Sequence, residues 1–351
     1  MRDAIFLAEA EQAEAARLRG ALEAAGVRAE LRATPDPVRG TTPRGAQGQP
    51  PEGLGPGVAV LSVFVGSRVD RPLLDACPDL RLVATRSTGY DHVDLAACAA
   101  AGVAVANVPT YGENTVAEHT FALILALSRN VHKAWVRTQR GDFSIQGLQG
   151  FDLRGRTLGL IGVGHIGLHT AKIARGFGMR VLASDPRPQP LLAELVGFDY
   201  VELEELVRSA DIVSLHAPLL PATRHLVDRE LLKRFKRGAL LVNTARGGLV
   251  DTEALLWALD EGILAGAGLD VLEGEELLSE DRRRLALERD EASLRVLVEN
   301  QLLAGREDVV VTPHVGFDSV EAVQRIAEVT AANIAAFLAG DPQNLLASSL
   351  P

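Results

Sequence analysis

The chain is short of several things that would point to other kinds of protein. Cysteine occurs twice in 351 residues, as Cys77 and Cys98, and neither belongs to a Cys-x-x-Cys or Cys/His cluster. That excludes a disulfide framework and a thiolate zinc site, and it fits a reducing, cytoplasmic setting. Lysine occurs four times, at 133, 172, 233 and 236, so Schiff-base chemistry has few candidates. No apolar run reaches the ~18 residues of a membrane span. The opening MRDAIFLAEAEQAEAARL turns acidic too soon for a secretory signal. Basic charge is also short: 36 Lys and Arg face 46 Asp and Glu, a formal charge of −10, which argues against general affinity for nucleic acid or an anionic membrane. His165, His169, His216 and His225 are spread over separate turns, and no His/Asp/Glu group has ligand spacing, so no metal is expected. Internal repeats and heptads are absent.

What is present is an ordinary soluble balance, 47% hydrophobic and 23% charged, in a chain long enough for two domains at ~150 residues each. Short apolar runs alternate with turns and helical stretches, the pattern of parallel sheets covered by helices. Strands are expected at Ala4–Ala8, Val58–Val63, Leu82–Thr85 and Val103–Asn107, with a helix at Glu11–Ala25. A second series follows at Thr157–Ile161, Val181–Ser184, Ile212–Leu215, Ala239–Asn243, Gly266–Leu269 and Val309–Thr312. The Pro- and Gly-rich stretch 34–57 buries little and reads as a mobile surface loop. TVAEHTFALILALSRNV is apolar almost all round and predicts a deeply buried helix, with Thr115 and Glu118 spaced as a capping box. The charged, Leu-spaced segment 276–308 (Leu285, Leu294, Leu297) reads as peripheral helices before the last strand.

The strongest local signal is TLGLIGVGHIGLHTAKIARGFG. An apolar strand runs into Gly162-x-Gly164-x-x-Gly167 and then into a helix. The three glycines allow a tight turn, backbone approach to a pyrophosphate and close helix packing. The helix N-terminus adds unpaired donors and partial positive charge. The next strand ends at Asp185, whose carboxylate suits an adenosine ribose and repels a 2′-phosphate. NAD is therefore favoured over NADP, although Arg187 nearby works the other way. Polar residues recur just past the strand ends: Asp185, His216, Thr244 with Arg246, Asp270 and His314, where doubly wound sheets bind ligands. Each has a plain structural alternative. His216 suits a loop cap, Arg246 a solvated loop cation, Asp270 a helix cap and His314 a satisfied structural histidine. Five such placements at corresponding positions point to one site.

The segments RSTGYDHVDL, NVPTYGENTVAEHT, GVGHIG, SLHAPL, NTARGGLVD, GLDVLEGE and TPHVGF, spread over about residues 80–337, resemble the NAD-dependent D-isomer-specific 2-hydroxyacid dehydrogenases, and among them the D-lactate dehydrogenases most. That resemblance implies two doubly wound parallel-sheet domains: a flavodoxin-like substrate domain (1–109 with 314–351) and an inserted Rossmann domain (110–313). The active site would lie in the cleft, with crossings near Pro109 and Pro313 as the hinge. It implies Arg246 as the substrate-carboxylate clamp, His314 as general acid/base and Glu275 as the partner that orients the ring and stabilises the imidazolium. Glu273 is the nearest substitute for that partner. Gly162, Gly164, His165, Ile166, Gly167, Asp185, His216, Pro218, Thr244, Ala245 and Asp270 are implied for NAD(H). The N–H groups of Thr88 and Gly89, with Tyr111 and Phe317, are implied for substrate; ordinary packing is the alternative for both rings.

The expected reaction interconverts a small 2-oxo acid and its D-2-hydroxy acid, pyruvate and D-lactate first, in a homodimer whose contact includes the helix at 115–131. Sister activities on the same scaffold are glyoxylate/hydroxypyruvate reduction and 3-phosphoglycerate oxidation. An NAD(H)-sensing corepressor is the alternative from another class. The long Glu275–His314 interval and the lack of an appended domain after residue 340 favour the D-lactate type. Gly316 and Asp318 depart from it, at positions where Ala and an aromatic are usual.

Overall fold

The computed structural model describes residues 4–38, 52–275 and 291–346. It divides into two units, Met1–Tyr111 with Ser319–Pro351, and Gly112–Asp318. The crossings fall a few residues beyond those expected, and this places His314 and Phe317 in the second unit.

In the first unit the chain runs β1 (Ala4–Leu7), α1 (Gln12–Ala24), β2 (Glu30–Ala33), β3 (Val58–Val63), α2 (Arg71–Ala76), β4 (Leu82–Thr85), α3 (Leu95–Ala100) and β5 (Ala104–Ala106). The strands pair in parallel in the order β2-β1-β3-β4-β5, the flavodoxin-type order. β1, β3 and β4 are buried at every residue, because a sheet covered on both faces has no wet side toward which side chains can alternate. β2 was not expected from the sequence. It is an edge strand with no buried residue, so ELRA carries no apolar run. Of the loop expected at 34–57, residues 39–51 lie outside the described ones, and Val38 and Leu54 on either side are buried. Cys77 and Cys98 are free and buried, and burial pushes both thiols up to about 11.

The second unit continues α4 (Glu113–Ser128), α5 (Val131–Gln139), β6 (Thr157–Ile161), α6 (His165–Gly176), β7 (Arg180–Ser184), α7 (Pro190–Val196), β8 (Asp199–Tyr200), α8 (Leu203–Ser209), β9 (Ile212–Leu215), α9 (Arg229–Leu232), β10 (Ala239–Asn243), α10 (Thr252–Asp260), β11 (Leu264–Leu269), α11 (Glu291–Ala304) and β12 (Val309–Val311). Its parallel sheet has the order β12-β11-β10-β9-β6-β7-β8. From β6 the chain builds outward through β7 and β8, then returns to add β9 to β12 on the other side. The reversal between β6 and β9 is the switch point at which open α/β sheets bind ligands.

α4 is buried through Val116, Ala117, Thr120, Phe121, Leu123, Ile124 and Leu127, as its composition predicts. Its start corrects the expected capping box. The helix begins at Glu113 with Gly112 at the cap, so Thr115 already lies in the first turn. Glu118 accepts instead from Asn114 Nδ2 at 3.3 Å, one helical turn back. In the 276–308 segment the description resumes at 291; Leu297 of α11 is buried, Leu294 is exposed, and Leu285 lies outside the described residues. The chain then returns to the first unit as α12 (Val320–Leu338), capped by Ser319, which accepts from Ala322 N–H at 3.2 Å. Among the described residues no helix is long and apolar enough to cross a membrane.

Candidate active site

The glycine turn closes the end of β6. Gly162 has φ +88, and a Cβ there would lie 2.8 Å from the Ala217 nitrogen at the end of β9, so only glycine fits. A Cβ on Gly167 would lie 2.7 Å from the Gly162 carbonyl oxygen, whereas one on Gly164 would meet nothing within 4 Å. The turn is thus closed on two sides and open at Gly164, which caps α6. The first N–H groups of that helix, at His165, Ile166 and Gly167, have no intrahelical acceptor. An open backbone beside unpaired donors is what a pyrophosphate requires, so these residues fit a dinucleotide.

Asp185 follows β7 and does more than the sequence suggests. Its Oδ2 accepts from Val163 N–H and its Oδ1 from Arg187 N–H, both at 2.8 Å. The carboxylate braces the glycine turn while each oxygen keeps acceptor capacity for ribose hydroxyls. His216, just past β9, places Nε2 3.0 Å from Ser214 Oγ. Burial lowers this histidine to about 4, so its ring is neutral where the residue packs against the glycine turn. The Pro218 carbonyl accepts from Thr223 Oγ1 at 2.6 Å. Asp185→Ser is expected to weaken NADH binding and to improve relative use of NADPH. Coenzyme titration checks this, and equal use of NADPH by the unmodified protein would remove Asp185 from that role.

At the ends of β10, β11 and β12, three neighbouring strands, stand Arg246, Asp270 and His314. Asn243 pins the first loop, accepting from Ala245 N–H at 3.0 Å and donating to the Arg246 carbonyl at 2.8 Å. Thr244 Oγ1 meets Thr120 Oγ1 of α4 at 2.9 Å. The half-buried Arg246 donates from Nη1 to the Ala245 carbonyl at 2.7 Å. His314 places Nδ1 2.7 Å from Glu275 Oε1, and its ring stands edge-on to Phe317, with centroids 6.4 Å apart. With Nδ1–H held by a carboxylate, Nε2 is the nitrogen left for chemistry. Glu273 is not that partner, because it receives His225 Nε2 at 2.6 Å and Arg224 Nη2 at 3.0 Å.

Asp270 is 2% exposed and caps no helix. Its Oδ1 accepts from Thr312 Oγ1 (2.6 Å) and Val315 N–H (2.9 Å), and its Oδ2 from Gly316 N–H (2.8 Å). Burial on its own would raise this carboxyl, but hydrogen bonds from His119, Thr312 and Gly316 outweigh it and hold the group below its ordinary range. Asp270 therefore anchors the loop that carries His314. Gly316 is explained here too, since a Cβ would lie 2.7 Å from Asp270 Oδ2. His119 lies within the NVPTYGENTVAEHT segment, but nothing in the sequence gives it a role beyond that of an imidazole on a helix otherwise almost wholly apolar. Among the described residues no group of three or more His, Cys, Asp or Glu is placed to hold a metal ion.

In the first unit, the loop after β4 is pinned through its carbonyls. Val108 N–H donates to the Ser87 carbonyl at 3.1 Å and Asn107 Nδ2 to the Thr88 carbonyl at 2.9 Å. In a trans peptide the N–H opposes the C=O, so the amides of Thr88 and Gly89 both face away from β5. Asn107, the first residue of the NVPTYGENTVAEHT segment, is a second residue whose part in the loop the sequence does not announce. Tyr111 is half-buried, and its carbonyl accepts from Arg325 Nε at 2.6 Å.

Comparison with known proteins gives the family. The family model for the D-isomer specific 2-hydroxyacid dehydrogenase NAD-binding domain matches residues 121–316. The chain belongs to that family. It is 43% identical over 283 residues to 2-hydroxyacid dehydrogenase homolog 1 of Schizosaccharomyces pombe, covering 79% of this chain and 82% of the relative. It is 36% identical over 298 residues to the glyoxylate reductase of Thermococcus litoralis, covering 82% and 83%. The D-lactate dehydrogenase of Aquifex aeolicus, solved with NAD and lactic acid, superimposes with a TM-score of 0.82 at 33% identity, over 96% of each chain. The protein is an NAD-dependent D-2-hydroxyacid dehydrogenase, and its second unit is the NAD-binding domain.

Proposed function

We propose that the protein reduces a small 2-oxo acid to its D-2-hydroxy acid, with pyruvate and D-lactate as the first pair, using Arg246, Glu275 and His314. The observation that carries this reading is the 2.7 Å contact between His314 Nδ1 and Glu275 Oε1, which leaves Nε2 to work as acid or base. The Arg246 fork binds the substrate carboxylate and polarises the adjacent carbonyl. Bound NADH supplies the hydride. As negative charge grows on the carbonyl oxygen, protonated His314 delivers its Nε2 proton and Arg246 stabilises the charge that remains. Glu275 holds Nδ1 and fixes the ring. In the reverse direction neutral His314 takes the hydroxyl proton. The amides of Thr88 and Gly89 are proposed as carboxylate donors, and Tyr111 and Phe317 as apolar contacts for the substrate side chain. Thr244, Ala245, Asp270, His216 and Pro218 complete the proposed nicotinamide-side contacts.

Pyruvate is favoured by the 39-residue interval between Glu275 and His314 and by the likeness to a D-lactate dehydrogenase solved with lactic acid. Glyoxylate and hydroxypyruvate are the competing substrates, since a glyoxylate reductase is also a relative. Rates of NADH oxidation over pyruvate, glyoxylate, hydroxypyruvate and bulkier 2-oxo acids test the order. The highest kcat/KM is expected for pyruvate, and a glyoxylate value tenfold higher would reassign the substrate. The proposed homodimer is best supported just beyond α4, where Val131, Trp135, Val136, Phe143 and Ile145 are exposed. Large apolar side chains exposed along one stretch of chain fit a subunit contact, and sedimentation as a monomer would overturn the proposed dimer. A cytoplasmic setting is proposed on the two free cysteines.

A further inference from the structure

We propose that His119 is a positioning residue for the acid/base loop, holding Asp270 and Thr312 so that the main chain presents His314. The proposal rests on the dehydrogenase reading above. His119 stands on α4, with Nε2 3.2 Å from Asp270 Oδ1 and 3.0 Å from Thr312 Oγ1. The direction of these bonds follows from counting protons. The Thr312 hydroxyl donates to Asp270 Oδ1 at 2.6 Å, so it has no proton for His119. An ionised carboxylate only accepts. Nε2 must therefore carry the proton and donate to the pair, whether the ring is neutral or charged.

What the pair holds is the backbone on both sides of His314. The His314 N–H donates to the Asp270 carbonyl at 2.8 Å, while the Asp270 carboxylate takes the N–H groups of Val315 and Gly316. His314 itself has φ +53, a left-handed conformation that a residue with a side chain keeps only when its surroundings fix it. His119 also walls the loop from the helix side, with its Cδ2 3.3 Å from the Cβ position of Gly316. The next residue on the helix, Thr120, holds Thr244 of the Arg246 loop. Two consecutive residues of one buried helix thus brace two of the loops proposed to carry the chemistry. Without the donor at 119, a buried carboxylate loses one of its partners and the loop loses that wall. A misplacement of ~1 Å at a reacting group is enough to lower turnover ~100-fold.

The test compares His119→Leu, which fills the space without a donor, with His119→Gln, whose amide nitrogen can donate from a similar position. The leucine variant is expected to lose ~10–100-fold in kcat while KM for the 2-oxo acid and NADH Kd, read by fluorescence titration, change less than ~3-fold. The glutamine variant is expected to recover most of the kcat. Unchanged kcat in the leucine variant, or a glutamine variant no better than leucine, overturns the role. If His119→Leu does not fold, Thr312→Val removes the same acceptor. It should lower kcat at unchanged NADH Kd; an undiminished kcat in Thr312→Val overturns the proposal. Failure of the unmodified protein to oxidise NADH with any 2-oxo acid overturns the functional reading and takes this role with it. An active unmodified protein with an indifferent position 119 overturns only the role of His119.

Discussion

His314→Gln is expected to lower reduction of the 2-oxo acid by at least ~1,000-fold, the upper range for losing a positioned general acid, with NADH affinity within about twofold. Steady-state assays and a coenzyme titration read the two effects separately. Glu275→Gln, which removes the charge facing Nδ1 at 2.7 Å, is the companion experiment. The amide keeps much of the shape but loses the charge-assisted hold on Nδ1 that orients the ring, so kcat for reduction should fall at least ~10-fold while NADH Kd stays within about twofold. An undiminished kcat in Glu275→Gln would mean that the carboxylate does not act on the ring. Glu273 is a poor substitute, being committed to His225 and Arg224.

Arg246→Lys should lower kcat at least ~100-fold and raise KM for the 2-oxo acid, because the ammonium keeps the charge but loses the planar fork. The Asn243 contacts that hold the 244–246 loop involve main-chain atoms of residues 245 and 246, and these survive the substitution. A loss of activity with intact NADH affinity would therefore report the guanidinium, its Nη1 contact to the Ala245 carbonyl included. Near-normal turnover with intact NADH affinity would reduce Arg246 to a loop cation.

Both sheets were legible because parallel strands buried on two faces leave continuous apolar runs; Val58–Val63, Leu82–Thr85, Thr157–Ile161, Ile212–Leu215 and Ala239–Asn243 coincide with β3, β4, β6, β9 and β10. β2 and the two-residue β8 escaped, since edge strands expose their side chains and leave no such run. The glycine turn was legible because its chemistry is local, within six residues. His119 was not: its partners Asp270 and Thr312 lie more than 150 residues along the chain, and no spacing rule spans that distance. Asp270 was noticed for its place at a strand end, but its work of gathering Thr312, Val315 and Gly316 appears only when the loop is folded back on it. The same contact accounts for Gly316, which from sequence alone was an unexplained departure. Thr115 and Glu118 show the opposite error, a correct local spacing overruled when Gly112 started the helix earlier.

The two cysteines make the first unit its own reporter. Both lie in that unit, both are buried, and at about 11 each is a thiolate in roughly one molecule in ten thousand at neutral pH. An alkylating reagent therefore gains access only when the β3–β5 region opens, and the second unit, whose sequence has no cysteine, stays silent. The labelling rate of the native protein measures the free energy of opening one unit of the pair. Any slowing on addition of a 2-oxo acid or of NADH would show how strongly each ligand holds that unit closed.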